Sequence, residues 1–193
     1  MVRVREIQVG PTQEETLLIH ELDDLCDSFT GRAMTGSWIW DSALLLSHFP
    51  VPPPSQDRAR TRRRHGSTRV NRESTRRRPS HSHRRRPLLP GLRTNVEANG
   101  MCGRVEACEL VWGSDEFPSR LTELIGESGV DLVLMSDVLY DPSLMEAMAK
   151  MLKMVCGRKT KIWAATEVRD SAMECLSELA SHGFESTELA SRP

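Results

Sequence analysis

VDLVLMSDVLYDP, residues 130–142, is the stretch on which the fold turns. Its first seven residues, Val130 to Ser136, are almost continuously apolar and end on turn formers, the pattern of a strand buried on both faces. Asp141 and Pro142 then open a helix expected to reach Val155 and to close at Gly157. A short carboxylate can cap the orphan N–H groups there, and the fixed φ of proline suits a first turn. Thr160 to Thr166 (TKIWAAT) reads as another buried strand, and Asp170 as the cap of a helix from Ser171 to about His182, closed by Gly183. Working upstream, RVEACELVW (104–112) alternates like a strand, and Phe117 to Ile125 carries an amphipathic helix. Strands alternating with helices make parallel βαβ units, hence an α/β fold with an open, doubly wound sheet.

Further out the signal thins. Leu88, Leu89, Leu92 and Val96 space out a helix that Asn99-Gly100 would end. Trp38 to Phe49 reads as a buried helix with Trp38, Ser42 and Leu45 or Leu46 on one side. Val2 to Val9 alternates as a short strand closed by Gly10-Pro11. Thr16 to Leu25 fits a strand or a short helix equally well, and Gly31 to Gly36 is loop-like. The final FESTELASRP stands where one more strand would begin, so the C-terminal strand is expected to be truncated.

Charge divides the chain. Asp57 to Arg86 holds thirteen Arg against Asp57 and Glu73, a local net charge of +11, while the whole chain sums to −1. An acidic protein therefore carries a basic insert with no apolar period, which cannot bury a face and is expected to be disordered. Three units follow: 1–50, the Arg-rich segment 51–86, and 87–193. The five cysteines show no CxxC and no Cys/His cluster, so no metal is expected, and reduced thiols point to a cytoplasmic or nuclear setting. No apolar run approaches the ~20 residues that span a bilayer, and no membrane partner is expected.

Ligands in open parallel sheets bind beyond the carboxyl ends of the strands. Those ends are Trp112-Gly113, Ser136 to Tyr140, and Glu167-Val168-Arg169. Asp137 with Tyr140 three residues on suits a polar site. On the residues alone, the reading to prefer is a turn-capping acid with a tyrosine packed on the sheet edge.

GRAMTGSWIWDSALLLSHF, LLPGLRTNVEANG with RVEACELVWG, and DLVLMSDVLYDP with IWAATEVR together resemble methyltransferase family 16, the seven-β-strand protein-lysine methyltransferases, in their plant methyltransferase-like branch. The resemblance implies a Rossmann-like class I methyltransferase sheet and S-adenosylmethionine as cofactor. It also implies a protein lysine as methyl acceptor. Residue by residue it implies cofactor contacts from Trp40, Trp112 and Ser136, and places Asp137 and Tyr140 of the D-x-x-Y signature near the reacting centre.

The chain departs from that family between Phe49 and Leu88. The family's E-L-G-x-G-x-G loop and the acid ending its second strand are missing, and Gly66 is the one glycine in the interval. Such glycines let backbone N–H groups approach a ligand closely. A one-base shift of DRARTRRRHGSTR (57–69) is compatible at all thirteen positions with TVLELGAGTGLPG, and SHRRR (82–86) with LTDVA. A pair of compensating frame changes is thus expected to have replaced the first two core strands, and transcript sequence across codons 55–87 decides it. As translated, the chain is expected to be marginally stable, with cofactor binding impaired or lost and no activity. The alternative expectation is a non-catalytic protein whose Arg-rich segment binds RNA or other polyanions without sequence preference.

Overall fold

A computed structural model describes residues 2–9, 15–22, 38–49, 69–70, 88–126 and 129–189. The turn at Gly10-Pro11, the loop at Gly31 to Gly36 and nearly all of the Arg-rich segment lie outside the described residues.

The chain opens with an antiparallel hairpin of β1 (Val2–Val9) and β2 (Glu15–Leu22), which decides the ambiguous stretch after Thr16 in favour of strand. Helix α1 (Asp41–Ser47) follows, then a two-residue strand β3 (Arg69–Val70) and helix α2 (Leu88–Ala98). Strand β4 (Val105–Glu106), helix α3 (Ser119–Ile125) and strand β5 (Val130–Ser136) come next. A 3-10 turn (Pro142–Leu144) leads into α4 (Met145–Val155), β6 (Cys156–Ala165) and α5 (Asp170–Ser181). The class is mixed α/β with parallel pairs β3–β4 and β5–β6. Among the described residues these stay separate two-stranded sheets, not one continuous doubly wound sheet. No described helix is long and apolar enough to cross a membrane.

The β5–β6 pair organises the core, and its pleat sorts residues to two faces. Val133 and Met135 point to one side, where Met145, Met148 and Leu152 of α4, Cys175 and Leu179 of α5, Leu121 of α3 and Trp112 close over them. Met145 and Met148 are 0 % exposed and Leu152 is 1 % exposed. The spacing of three and four residues puts all three on one stripe of α4. Each buried side chain of this size contributes about 1.5–3 kcal/mol through removal from water. The opposite face, carrying Leu134, Ser136 and Trp163, meets α1, and Phe49 packs edge-on against Trp163 with ring centroids 6.0 Å apart. Helices therefore flank the pair on both sides, as a parallel unit requires.

Several boundaries differ from the sequence reading, among them the start of α3, at Ser119 where Phe117 was expected. The strand expected over 104–112 shrinks to Val105–Glu106, because a ladder extends only as far as its partner, here Arg69–Val70. The alternation itself was sound: Cys108, Leu110 and Trp112 all pack on the core. Gly157 does not close α4 but lies inside β6, since Cys156 already pairs with Val130 across a register shift. There Thr160 Oγ1 accepts from the Gly157 N–H and donates to the Val130 carbonyl. Asp141 caps its turn as expected, accepting from Ser143 N, whereas α5 is capped at Arg169 with Asp170 already in its first turn. Lastly, the helix expected over 38–49 is shorter and only half-buried: Ser42 is its sole buried residue, while Trp38 and Leu45 stay exposed. One short helix cannot cover all of its own apolar side chains against a two-stranded surface.

Gly129 shows how tightly β5 starts. Its φ is +71°, and a Cβ there would sit on the Gly157 nitrogen and 2.8 Å from the Cys156 carbonyl carbon. Backbone cannot yield as a side-chain tip can. Gly129→Ala is expected to destabilise the fold by about 1–3 kcal/mol, read as a lowered denaturant midpoint. A variant melting with the parent protein would show that the β5–β6 junction relaxes freely.

Candidate functional site at the carboxyl end of the core strands

Strand β5 ends at Ser136, and the chain turns sharply at Asp137, whose φ of +50° makes it the one non-glycine residue with positive φ among the described residues. Aspartate tolerates this region better than most residues, yet the conformation still costs on the order of 1 kcal/mol. Neighbouring contacts hold it. The Asp137 N–H donates to the Ala165 carbonyl at 2.8 Å, tying the turn to the end of β6. Its carboxylate accepts from Thr166 Oγ1 at 3.2 Å and from the Arg169 guanidinium at 3.2 Å. Arg169 also donates to Glu167 at 2.8 Å, and this bond above all raises the guanidinium pKa. The Asp137 side chain is only 11 % exposed, so its charge is largely shielded from water and matched by Arg169.

One residue earlier, Ser136 Oγ lies 2.7 Å from Ser42 Oγ, a hydrogen bond that pins the start of α1 to the end of β5. Tyr140 is half-buried beyond the buried pair Val138 and Leu139. The carboxylate of Asp137 is thus engaged across to the β6 end, and the turn cap that follows is made by Asp141.

The two tryptophans fall in different places. Trp40 is the half-buried residue before α1, where its carbonyl accepts from Ala43 and Leu44 N–H. It lines a cleft of about 320 Å³ with Arg3, Arg5, Glu21, Trp38 and Ile39. Trp112 instead sits in the core, 8 % exposed, with Gly113 N–H bonded to the Ala147 carbonyl of α4 at 3.1 Å. Gly113 takes φ +75°, and a Cβ there would meet Ala147 Cβ at 3.0 Å, which explains glycine after this tryptophan. Trp112 Nε1 is buried with no hydrogen-bond partner among the described residues.

Sequence reasoning placed Ser136, Asp137 and Tyr140 on one loop and marked Glu167 to Arg169 as another strand end, but did not join them. Strand adjacency of β5 and β6 was the signal that could have. The Ser42 contact had no sequence signal, since it depends on where α1 lands. Among the described residues no group of His, Cys, Asp and Glu side chains could hold a metal.

Cys175 lies in the core: it is 0 % exposed on α5, and burial, the largest influence, raises its thiol pKa above 9.0. The folded chain then keeps this proton while the unfolded chain releases it. Its contribution to stability is flat below pH 9.0 and falls as pH rises beyond it. Thermal midpoints measured through that range should decline less steeply in Cys175→Ala than in the parent, after allowing for the variant's lower starting point. Equal slopes would rule this out.

A family model described as lysine methyltransferase matches residues 85–181, half of the chain. No curated protein and no solved structure matches it.

Proposed function

From its membership of the lysine methyltransferase family, to which this chain belongs, we propose an S-adenosylmethionine-dependent methyltransferase-like protein, descended from enzymes of protein lysine, that has lost effective cofactor binding. The engagement of Asp137 carries this reading. Its carboxylate already neutralises Arg169 and accepts from Thr166, so it offers no spare charge to the ammonium of an amino-acid ligand. Trp40 lines the hairpin cleft, whereas Trp112 is buried in the core. The orphan Trp112 Nε1 could donate one hydrogen bond, and a single bond contributes only about 0.5–1.5 kcal/mol.

Residues 50–87 contain Gly66 alone in place of a glycine-rich loop, and the family match begins at residue 85, where the arginines end. That boundary supports the reading in which a frame change replaced the first two strands. The described residues do not fit the cofactor, and no catalytic step is assigned to them. Ser136 and Asp137 stand where the D-x-x-Y resemblance places the site, with Ser42, Thr166 and Arg169 as the contacts that hold them.

Titration calorimetry with S-adenosylmethionine tests this. We expect no saturable heat up to roughly 1 mM, where binding amounts to only about 4 kcal/mol. Stoichiometric binding at micromolar concentration would overturn the reading. A second reading, binding of RNA or another polyanion, is favoured by one observation, the thirteen arginines between Asp57 and Arg86.

A further inference from the structure

The N-terminal hairpin sets an unused hydrogen-bonding edge beside a cationic, tryptophan-lined cleft, and we propose that together they dock an extended acidic segment of a partner protein by strand addition to β1. The direction of the β1 backbone groups follows from β2. Asn99 accepts from the Leu18 N–H and donates to the Leu18 carbonyl, and Asn95 does the same at His20, with distances of 2.7–3.3 Å. Both residues therefore turn their backbone groups away from β1. Across the ladder they pair with Glu6 and Val4. Opposed residues of an antiparallel pair are either both bonded to each other or both turned outward. Val4 and Glu6, and by alternation Val2 and Gln8, thus aim their N–H and C=O groups at the outer edge of β1. No described strand occupies that edge.

Side chains give the edge its selectivity. Arg3 and Arg5 share the face of β1 that buries Ile7, and both line the cleft of about 320 Å³ with Glu21, Trp38, Ile39 and Trp40. Glu21, 4 % exposed, accepts from Arg5 and from the Ile39 N–H, both at 3.1 Å. That bond fixes Arg5 and consumes the carboxylate. Among the described residues no ion pair holds Arg3, so the cleft keeps a net positive charge beside the exposed Trp38 indole. An added strand places every second side chain over this face. Acidic residues at alternate positions would meet Arg3 and Arg5, with an apolar residue against Trp38. A second copy of β1 does not suit. Two-fold registers centred on Val4, Arg5 or Glu6 oppose Arg3 to Arg5, Arg5 to Arg5, or Glu6 to Glu6, and like charges directly opposite destabilise a pair.

This inference does not rest on the cofactor reading, and docking is measured without cofactor. The probe is a fluorescein-labelled peptide alternating Glu and Val, added to the full chain, with a Lys/Val peptide as control. The arginines of 57–86 will also attract acid, so amide exchange at Val4 and Glu6 is the decisive readout. We expect the acidic peptide to slow both amides, and Val4→Pro and Arg3→Glu each to weaken its affinity about tenfold. Proline at Val4 removes only an outward N–H, so the thermal transition should hold. If Val4→Pro does not fold, Arg3→Glu and the exchange data still decide. Unprotected Val4 and Glu6 with peptide bound, undiminished binding by Arg3→Glu, or equal binding of the Lys/Val peptide would each overturn the proposal.

Discussion

A Met148→Asp variant should fail to show a cooperative thermal transition by circular dichroism. Met148 is 0 % exposed, on the stripe of α4 that meets β5 and α5. No buried cation among the core residues could pair with a new carboxylate there. An unpaired buried charge costs several kcal/mol even after relaxation, and a domain's whole stability is about 5–15 kcal/mol. Met148→Leu, which conserves volume, should cost less than about 1.5 kcal/mol and melt as one transition. Should Met148→Asp melt like the parent, the α4 stripe could not be the centre of the core.

Removing residues 57–86 should abolish salt-sensitive RNA binding. Those residues carry thirteen Arg, and the remainder of the chain sums to −12. The intact protein should bind single-stranded RNA in filter assays without sequence preference, because the segment has no Phe, Tyr or Trp on which a base could stack. If about six to ten phosphates of a single strand are neutralised, affinity should fall on the order of 10²–10⁴ fold between about 50 and 200 mM salt. A deleted chain that still bound RNA with the same salt slope would place the interaction elsewhere. The cofactor titration is independent of this result, so either reading can fail alone.

Much of the C-terminal half was legible in the residues. The apolar run Val130 to Ser136, the Asp141-Pro142 opening and the helix that ends at Val155 each follow from local pattern, and the strand, the cap and the helix are found there. The family suggested by WIWDSA, ELVWG and SDVLYDP agrees with the match over residues 85–181. Errors came where an element's extent depends on a distant partner. Val105–Glu106 stops where β3 stops, and Gly157 joins β6 because Val130 captures Cys156. The hairpin strand at Glu15–Leu22 was ambiguous until β1 on one edge, and Asn95 of α2 with Asn99 just after it on the other, supplied partners for both of its edges.

Sequence alone placed the buried strand Val130–Ser136 and the helices around it in 88–181, and showed that an arginine block interrupts an acidic chain, because periodicity and charge are properties of neighbours along the backbone. Tertiary structure alone decided that Asp137 is matched by Arg169, that Ser136 meets Ser42, and that Arg3 and Arg5 share a cleft with Trp38. Those pairs lie tens of residues apart, and only strand register and helix docking bring their atoms within bonding reach.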